Sequence, residues 1–309
     1  MENSLRLGIF RDRPVFEEML SARNPIVVPA HIAAYARDGL WGFLRGLAKA
    51  QASSAPEFFY DPMSYWLDVP TEFWSKGSDA GRGEPLALPI DEVERIRPAF
   101  LALLRAYGME EAVKSVANEA ALRAAFIAGG VGPCLAFQRG GSAPKGEQAV
   151  NKYARILDLP LEGNSMHPRH LVAPYLPISE LTRAGVADQA ALNSAALTDR
   201  HDDESLWAVL AVDARSRTGA LSDELRGDLM FDSFEGVGIW VSEMDEHDST
   251  IAALSNYRTL IASVRRPVWV MYGGYFALLL GPEGVVNVSH GIYYTESKRM
   301  RGPVGSGPA

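Results

Sequence analysis

The sequence predicts an α/β fold and, within that class, a single (β/α)8 barrel of the TIM type. Three observations carry the prediction. Short apolar runs ending in polar residues recur along the chain and alternate with helical segments, the pattern of a parallel sheet. Eight such runs can be counted, and eight units in about 290 residues fit a closed barrel. A doubly wound open sheet is announced by a glycine-rich turn after an early strand, and neither a GxGxxG nor a P-loop pattern is present.

Residues 1–23 read as a lead-in, with Val15, Phe16, Met19 and Leu20 at the spacing of a short capping helix. The first strand is NPIVVPAHI, residues 24–32. Its unbroken apolar run suits a parallel strand covered on both faces, and His31 stands at its exit. Leu40, Phe43, Leu44 and Leu47 then mark one face of a helix. EFFYDP supplies the second strand, which exits at Asp61 and Pro62. The connection over 63–90 is aromatic (Tyr65, Trp66, Phe73, Trp74) and then rich in glycine. Its length fits a lid over a site, followed by a flexible turn. Extra helices follow over 91–127, with Val93, Ile96, Phe100, Leu103, Leu104 and Tyr107 in register and Gly108 breaking the pattern. Pro98 requires a kink or a restart, because an interior proline costs about 3 kcal/mol.

GPCLAFQRGG reads as the third strand, with Gln138 and Arg139 at its exit, and HLVAPYLPIS as the fourth, with Tyr175 near its end. LWAVLAVDARSR is the fifth and exits at Asp213, with Arg215 and Arg217 behind it. FEGVGIWVSEMDE is the sixth and ends at Ser242, Glu243 and Asp245. A helix with Asp248 or Ser249 as N-cap carries Ile251, Leu254, Leu260, Ile261 and Val264 inward. The last two strands, PVWVM and GVVNV, flank a segment long enough for about two helical turns. No internal repeat or domain boundary stands out, so one barrel is expected over 24–300, with a disordered tail over 301–309.

The chain has 309 residues, 47% hydrophobic and 22% charged, enough apolar material for a large core. A net charge of −8 and a pI near 5.4 argue against a broad basic face for duplex DNA. The single cysteine, Cys134, excludes an internal disulfide and an all-cysteine zinc cluster, and its apolar neighbours point to inert burial. The first residues lack the apolar core of a signal peptide, and no apolar run approaches the ~20 residues of a membrane span. A reducing cytoplasm is the expected compartment.

In such a barrel the strand exits converge on one face, where active sites are built. Asp61, Asp213 and Glu243 are the carboxylates expected there. Paired carboxylates in one half-buried cavity split into an acid and a base or nucleophile. His31 and His290 are candidates for proton transfer. Gln138, Arg139, Tyr175, Arg215 and Tyr272 are candidates for ligand binding. Gly273 and Gly274, ahead of the short helix, and Gly291 beside His290 suggest backbone amides aimed at a phosphate. A divalent ion held by His31, Asp61, Asp213, Glu243 or His290 is the weaker alternative, since no closely spaced ligand pair such as HxH or HExxH occurs; no cofactor is called for.

The closing segment GVVNVSHGIYYTESKR, residues 284–299, resembles the ends of bacterial (β/α)8-barrel proteins with a similar His–Gly and Glu-x-Lys/Arg ending. More remotely, the layout is similar to barrels of the tRNA-guanine transglycosylase class. That family's cysteine-rich zinc site is absent here, and Ser289 and His290 occupy the region of its aspartate nucleophile, so no catalytic residue transfers. The resemblance implies nucleoside or base chemistry. The expected function is hydrolysis or transfer on a phosphorylated or ribosylated small-molecule or nucleotide ligand, by acid/base or carboxylate-nucleophile chemistry. Two alternatives are a metal-dependent hydrolase and a catalytically silent barrel that binds a protein partner through Tyr65, Trp66, Phe73 and Trp74.

Overall fold

The structure, a computed structural model, describes residues 2–6, 25–50, 57–68, 94, 98–115, 119–140, 156, 167–213, 219–242, 244, 246 and 249–291. Its strands are β1 (Glu2–Arg6), β2 (Ile26–Pro29), β3 (Phe58–Asp61), β4 (Leu171–Val172), β5 (Pro177–Ile178), β6 (Leu206–Asp213), β7 (Gly236–Ser242), β8 (Val268–Val270) and β9 (Val285–Gly291). All pair in parallel, in the order β3-β2-β1-β9-β8-β7-β6-β4. β5 also pairs with β6, so β4 and β5 are two halves of one position, interrupted over 173–176. Apart from β3 and β4, which stand at the two ends of this order, each strand position lies beside its successor in the chain, and the last, β9, lies beside the first. The protein is a mixed α/β fold built on one parallel sheet.

Helices fill the connections: α1 (Ala30–Tyr35), α2 (Arg37–Ala50), α3 (Pro98–Ala106), α4 (Glu110–Ser115), α5 (Glu119–Gly129), α6 (Val131–Gln138), α7 (Ala187–Asp199), α8 (Asp223–Asp228), α9 (Ile251–Val264) and α10 (Tyr275–Leu278). Period-2 alternation sorts the strand residues between two faces. Ile26, Val28, Phe58 and Tyr60 pack with Leu40, Phe43 and Leu44 of α2. Val27 and Phe59, one residue over, join the main core with Val209, Trp240 and Trp269.

Two elements differ from the sequence reading in kind and one in extent: the first strand ends at Pro29, so His31 lies in helix α1 and not at a strand exit. Residues 2–6 are not a lead-in but the strand between β2 and β9; the expected capping helix lies outside the described residues. β1 escapes an apolar pattern because the side chains it buries are polar: Ser4 and Arg6 are 0% and 3% exposed. Ser4 Oγ donates to Asn287 Oδ1 of β9 at 2.9 Å. The predicted third strand, in turn, is helix α6. A short apolar run does not distinguish a buried strand from a buried helix. The decisive residue is Pro133 in the helix's first turn, where a missing N–H costs nothing. Gly130 precedes α6 because a Cβ there would run into the Phe126 ring.

Smaller expectations resolve in the same way. Pro98 is a restart, standing at the first position of α3. Gly108 takes a φ of +67° after that helix. The N-cap of α9 is Thr250, whose hydroxyl accepts from Ala253 N–H at 3.2 Å, two residues beyond the expected Asp248 and one beyond Ser249. Cys134 is fully buried, and burial pushes its thiol up to about 12. Among the described residues no single helix is long and apolar enough to cross a membrane.

Candidate functional site

The C-terminal ends of β1 and β3 meet in a buried charge pair. Arg6, the last residue of β1, places Nη2 2.7 Å from Asp61 Oδ2 at the end of β3, and the side chains are 4% and 0% exposed. Asp61 Oδ1 accepts from the Tyr175 hydroxyl at 2.7 Å and from Met63 N–H at 3.0 Å. Met63 turns its sulfur back onto Arg6 Nη2 at 3.1 Å, and the guanidinium lies over the Tyr272 ring at 4.4 Å. The carboxylate is thus engaged at both oxygens, and the arginine is held by an ion pair, a thioether and an aromatic face.

The chain is bent to make this arrangement. Met63 and Tyr272 both adopt left-handed backbone, φ 55° and 58°. Such geometry in a non-glycine residue costs of order 1 kcal/mol or more and persists where the surroundings enforce it. For Met63 the enforcement is local. Asp61 accepts its N–H, Pro62 C=O accepts from Tyr107 Oη at 2.5 Å, and a 3-10 turn, Ser64–Asp68, follows. Ser64 Oγ donates to Tyr175 C=O at 2.7 Å and accepts from Tyr175 N–H at 2.6 Å, which fixes the tyrosine over Asp61. Tyr65 stacks on Tyr175 at 5.9 Å and meets Trp240 edge-on at 4.7 Å; Tyr272 lies 4.8 Å from Trp240. The aromatics close around the ion pair and exclude water from it.

That desolvation controls the neighbouring ionisations. His31, in the first turn of α1, is lowered to about 4 by burial and then by the positive charge of Arg6, against an opposing pull from Asp61. It is a neutral imidazole at pH 7. Tyr175 is raised well above the usual phenol range by burial and then by Asp61, so it is a fixed proton donor to the carboxylate.

The structure therefore brings together four of the residues singled out from sequence: Asp61, His31, Tyr175 and Tyr272. Asp213 is the last residue of β6, with its Cα in register with Ser242, and His290 and Gly291 stand opposite Leu5 and Arg6 in β9. The side chains of Asp213 and His290, and all of Glu243 and Arg215, lie outside the described residues.

Gln138 and Arg139 do not stand at a strand exit, because α6 is a helix. Gln138 is buried and clamps the backbone of β4, donating to Val172 C=O at 2.7 Å and accepting from Val172 N–H at 2.9 Å. Arg139 makes a two-pronged ion pair with Glu204, 2.6 and 2.8 Å, and reaches Asp199 at 2.8 Å, on the side where β6 begins. Both are structural ties.

The glycine pair departs from the phosphate expectation in a specific way. Backbone amides do converge on an anion, but the anion is Glu246. Its carboxylate accepts from Gly274 N–H at 2.9 Å, Phe276 N–H at 2.7 Å and Ala277 N–H at 3.3 Å. A Cβ on Gly274 would fall on that carboxylate, and one on Gly273 would lie 2.7 Å from Val270 and 2.8 Å from Val288. Tyr65, expected in a lid over the site or, in the alternative, on a partner-binding surface, packs inward; the side chain of Trp66 and all of Phe73 and Trp74 lie outside the described residues. Among the described residues no cluster of three or more His, Cys, Asp or Glu could hold a metal ion.

Sequence reasoning missed Arg6, Met63, Ser64 and Trp240. Arg6 lies in a charged stretch with no apolar periodicity, and the other three have no motif to mark them. No protein-family model, curated protein or solved structure matches the chain.

Proposed function

We propose that the parallel sheet closes into a (β/α)8 barrel whose strand exits carry an enzyme site for a small, polar, ribosylated or phosphorylated ligand. Closure is supported by a strand order that follows the chain and by Arg169 N–H donating to Phe58 C=O at 2.7 Å, between the segments of β4 and β3 at the two ends of the list. It is also supported by Phe59 of β3 meeting Trp269 of β8 edge-on at 4.6 Å, although three strands separate β3 from β8 in the sheet.

The observation that carries the enzyme reading is the buried Arg6–Asp61–Tyr175 cluster between two left-handed residues. A buried ion pair contributes little net stability, and strained backbone detracts from it. A chain that maintains both at the strand exits is using them for positioning. Asp61, held by two hydrogen bonds at Oδ1 and by the Arg6 charge at Oδ2, orients Arg6 and Tyr175 rather than attacking a substrate. The acid/base or nucleophilic roles are then assigned to Asp213, the last residue of β6, and to Glu243, which follows β7 in the sequence, with His290 of β9 as a proton-transfer group. Hydrolysis or transfer at a glycosidic centre is the reaction that such carboxylates suit. A reducing cytoplasm fits the single buried thiol. Inward packing of Tyr65 counts against the reading as a silent interaction subunit.

The experiment is to incubate purified protein with a panel of nucleosides and nucleotides and follow release of free base by chromatography, for wild type, Asp213→Asn and Asp61→Asn. The proposal expects turnover that falls by at least about a hundredfold in Asp213→Asn. Full activity in both variants would sink it.

A further inference from the structure

Helices α1, α2, α3 and α6 enclose a groove of about 360 Å3. It shares no lining residue with the strand-exit site. α3 contributes Ala102 and Ala106, and α6 contributes Pro133, Ala136 and Phe137. Spacings of three and four put each set on one face of its helix. Ala34 of α1 and Arg37, the first residue of α2, complete the lining. Four of these seven residues are alanines, and methyl groups are too short to fill the space between the helices. The result is an apolar trough.

Arg37 is the one lining residue with a polar side chain. Burial lowers its guanidinium from the usual range, against the pull of the Tyr60 phenol and then of Asp38. Tyr60 is not a counter-ion. Burial pushes its phenol up to about 12, against the opposing pull of Arg37, so it is neutral at pH 7. Its ring lies 5.7 Å from that of Phe137, beside the groove's aromatic wall. Asp38 is exposed, and among the described residues the Arg37 side chain makes no ion pair and no hydrogen bond. Arg139, also half-buried, holds two carboxylates. Arg37 holds none, although a charge withdrawn from water is normally paired. It also stands at the start of a 14-residue helix, whose dipole adds positive potential there.

The trough and the unmatched charge together define an occupant. A neutral aliphatic molecule would leave Arg37 unmatched, and a small inorganic anion would leave the alanines bare. A dianion would carry one charge more than the single guanidinium can neutralise, with Asp38 close by. We infer that this groove binds a short aliphatic monocarboxylate, its carboxylate on Arg37 and its chain along Ala102, Ala106 and Ala136. The volume lies at the lower end of small-molecule sites, which keeps the chain short.

Calorimetry on the full chain with octanoate, 1-octanol and acetate tests the assignment. Octanoate should bind with a dissociation constant below about 1 mM. 1-Octanol has the tail without the charge and acetate the charge without the tail, so each should bind at least about tenfold more weakly. Arg37→Met keeps an aliphatic stem and removes the charge; octanoate should weaken by about tenfold, with 1-octanol unchanged. Ala136→Trp fills the trough from an exposed position on α6 and should weaken octanoate and 1-octanol together, again by about tenfold. The assignment is overturned if octanoate does not bind, or if 1-octanol or acetate binds as tightly as octanoate does. It is equally overturned if either variant, folded, binds octanoate like wild type.

Discussion

Replacing Asp61 by asparagine tests the reading of the strand-exit site most directly. The change keeps the shape and retains one carbonyl oxygen, which can still accept from Tyr175 Oη and Met63 N–H. The oxygen facing Arg6 Nη2 at 2.7 Å becomes an amide donor, and two donors then confront each other in a site where the arginine is 4% exposed. Removing one partner of a buried pair leaves an uncompensated charge and costs about 3–5 kcal/mol. For a chain of this size, that is a fall in melting temperature of roughly 10 °C. Arg6→Met alone removes the positive charge and leaves Asp61 with its two remaining donors, so it should cost less. In the double variant no charge remains uncompensated, and stability should recover by about 2 kcal/mol or more relative to the sum of the single changes. Urea titrations of the four proteins supply the cycle. An Asp61→Asn loss under about 1 kcal/mol, or strict additivity of the two changes, would refute the claim that the pair is buried and coupled.

Three further outcomes follow from the geometry. Tyr175→Phe removes a hydrogen bond to a buried carboxylate and should cost about 2 kcal/mol in urea unfolding, whereas a change below about 0.5 would mean that the hydroxyl is not bonded to Asp61. Glu246→Ala leaves the amides of Gly274, Phe276 and Ala277 without their carboxylate; it should destabilise by about 1–2 kcal/mol and speed hydrogen exchange at those three amides selectively, while unchanged exchange would contradict the contact. His31 supplies a pH dependence. Its folded value of about 4 lies below its ordinary 6.5, so the unfolded chain binds the extra proton first; the stability contributed by the neutral ring is complete above about 6.5 and is lost as pH falls toward 4. The full difference is about 3 kcal/mol, and His31→Gln should flatten the melting-temperature profile between those limits; parallel profiles would show that the histidine is not desolvated.

The apolar strands were legible because parallel strands covered on both faces read as continuous hydrophobic runs. β2, β3, β6, β7, β8 and β9 all lie where those runs predict. The two misread elements cancel in the count. β1 is polar and shows no strand pattern, while α6 is apolar and shows one, so the sequence still yields eight positions. Asp61 was legible because it precedes a proline at the end of an aromatic run. Its partner Arg6 was not, since a charged residue in a charged stretch gives no sign that a sheet will bury it. The glycine pair before α10 indicates amides gathered on an anion, but the acceptor is an internal glutamate, Glu246, in the acidic run EMDEHD, where nothing marks one carboxylate from the rest.

The misread strand and the candidate site have one cause. β1 contributes buried Ser4 and Arg6, and its neighbour β9 contributes buried Asn287 and Ser289. β6 and β7 bury Val209, Ala211, Ile239 and Trp240 instead. Polar side chains in an interior add little net stability even when well bonded, whereas each large apolar one contributes about 1.5–3 kcal/mol. Apolar burial in β2 and β3 on one side and in β6–β8 on the other therefore supplies the stability, and β1 is held in place by that scaffold and by its two parallel neighbours. A strand that depends on the rest of the sheet has no need of an apolar signature, which is why sequence patterning passed over it. The same dependence lets its last residue carry a charge into the interior, so the segment hardest to recognise as structure supplies the arginine on which the site is centred.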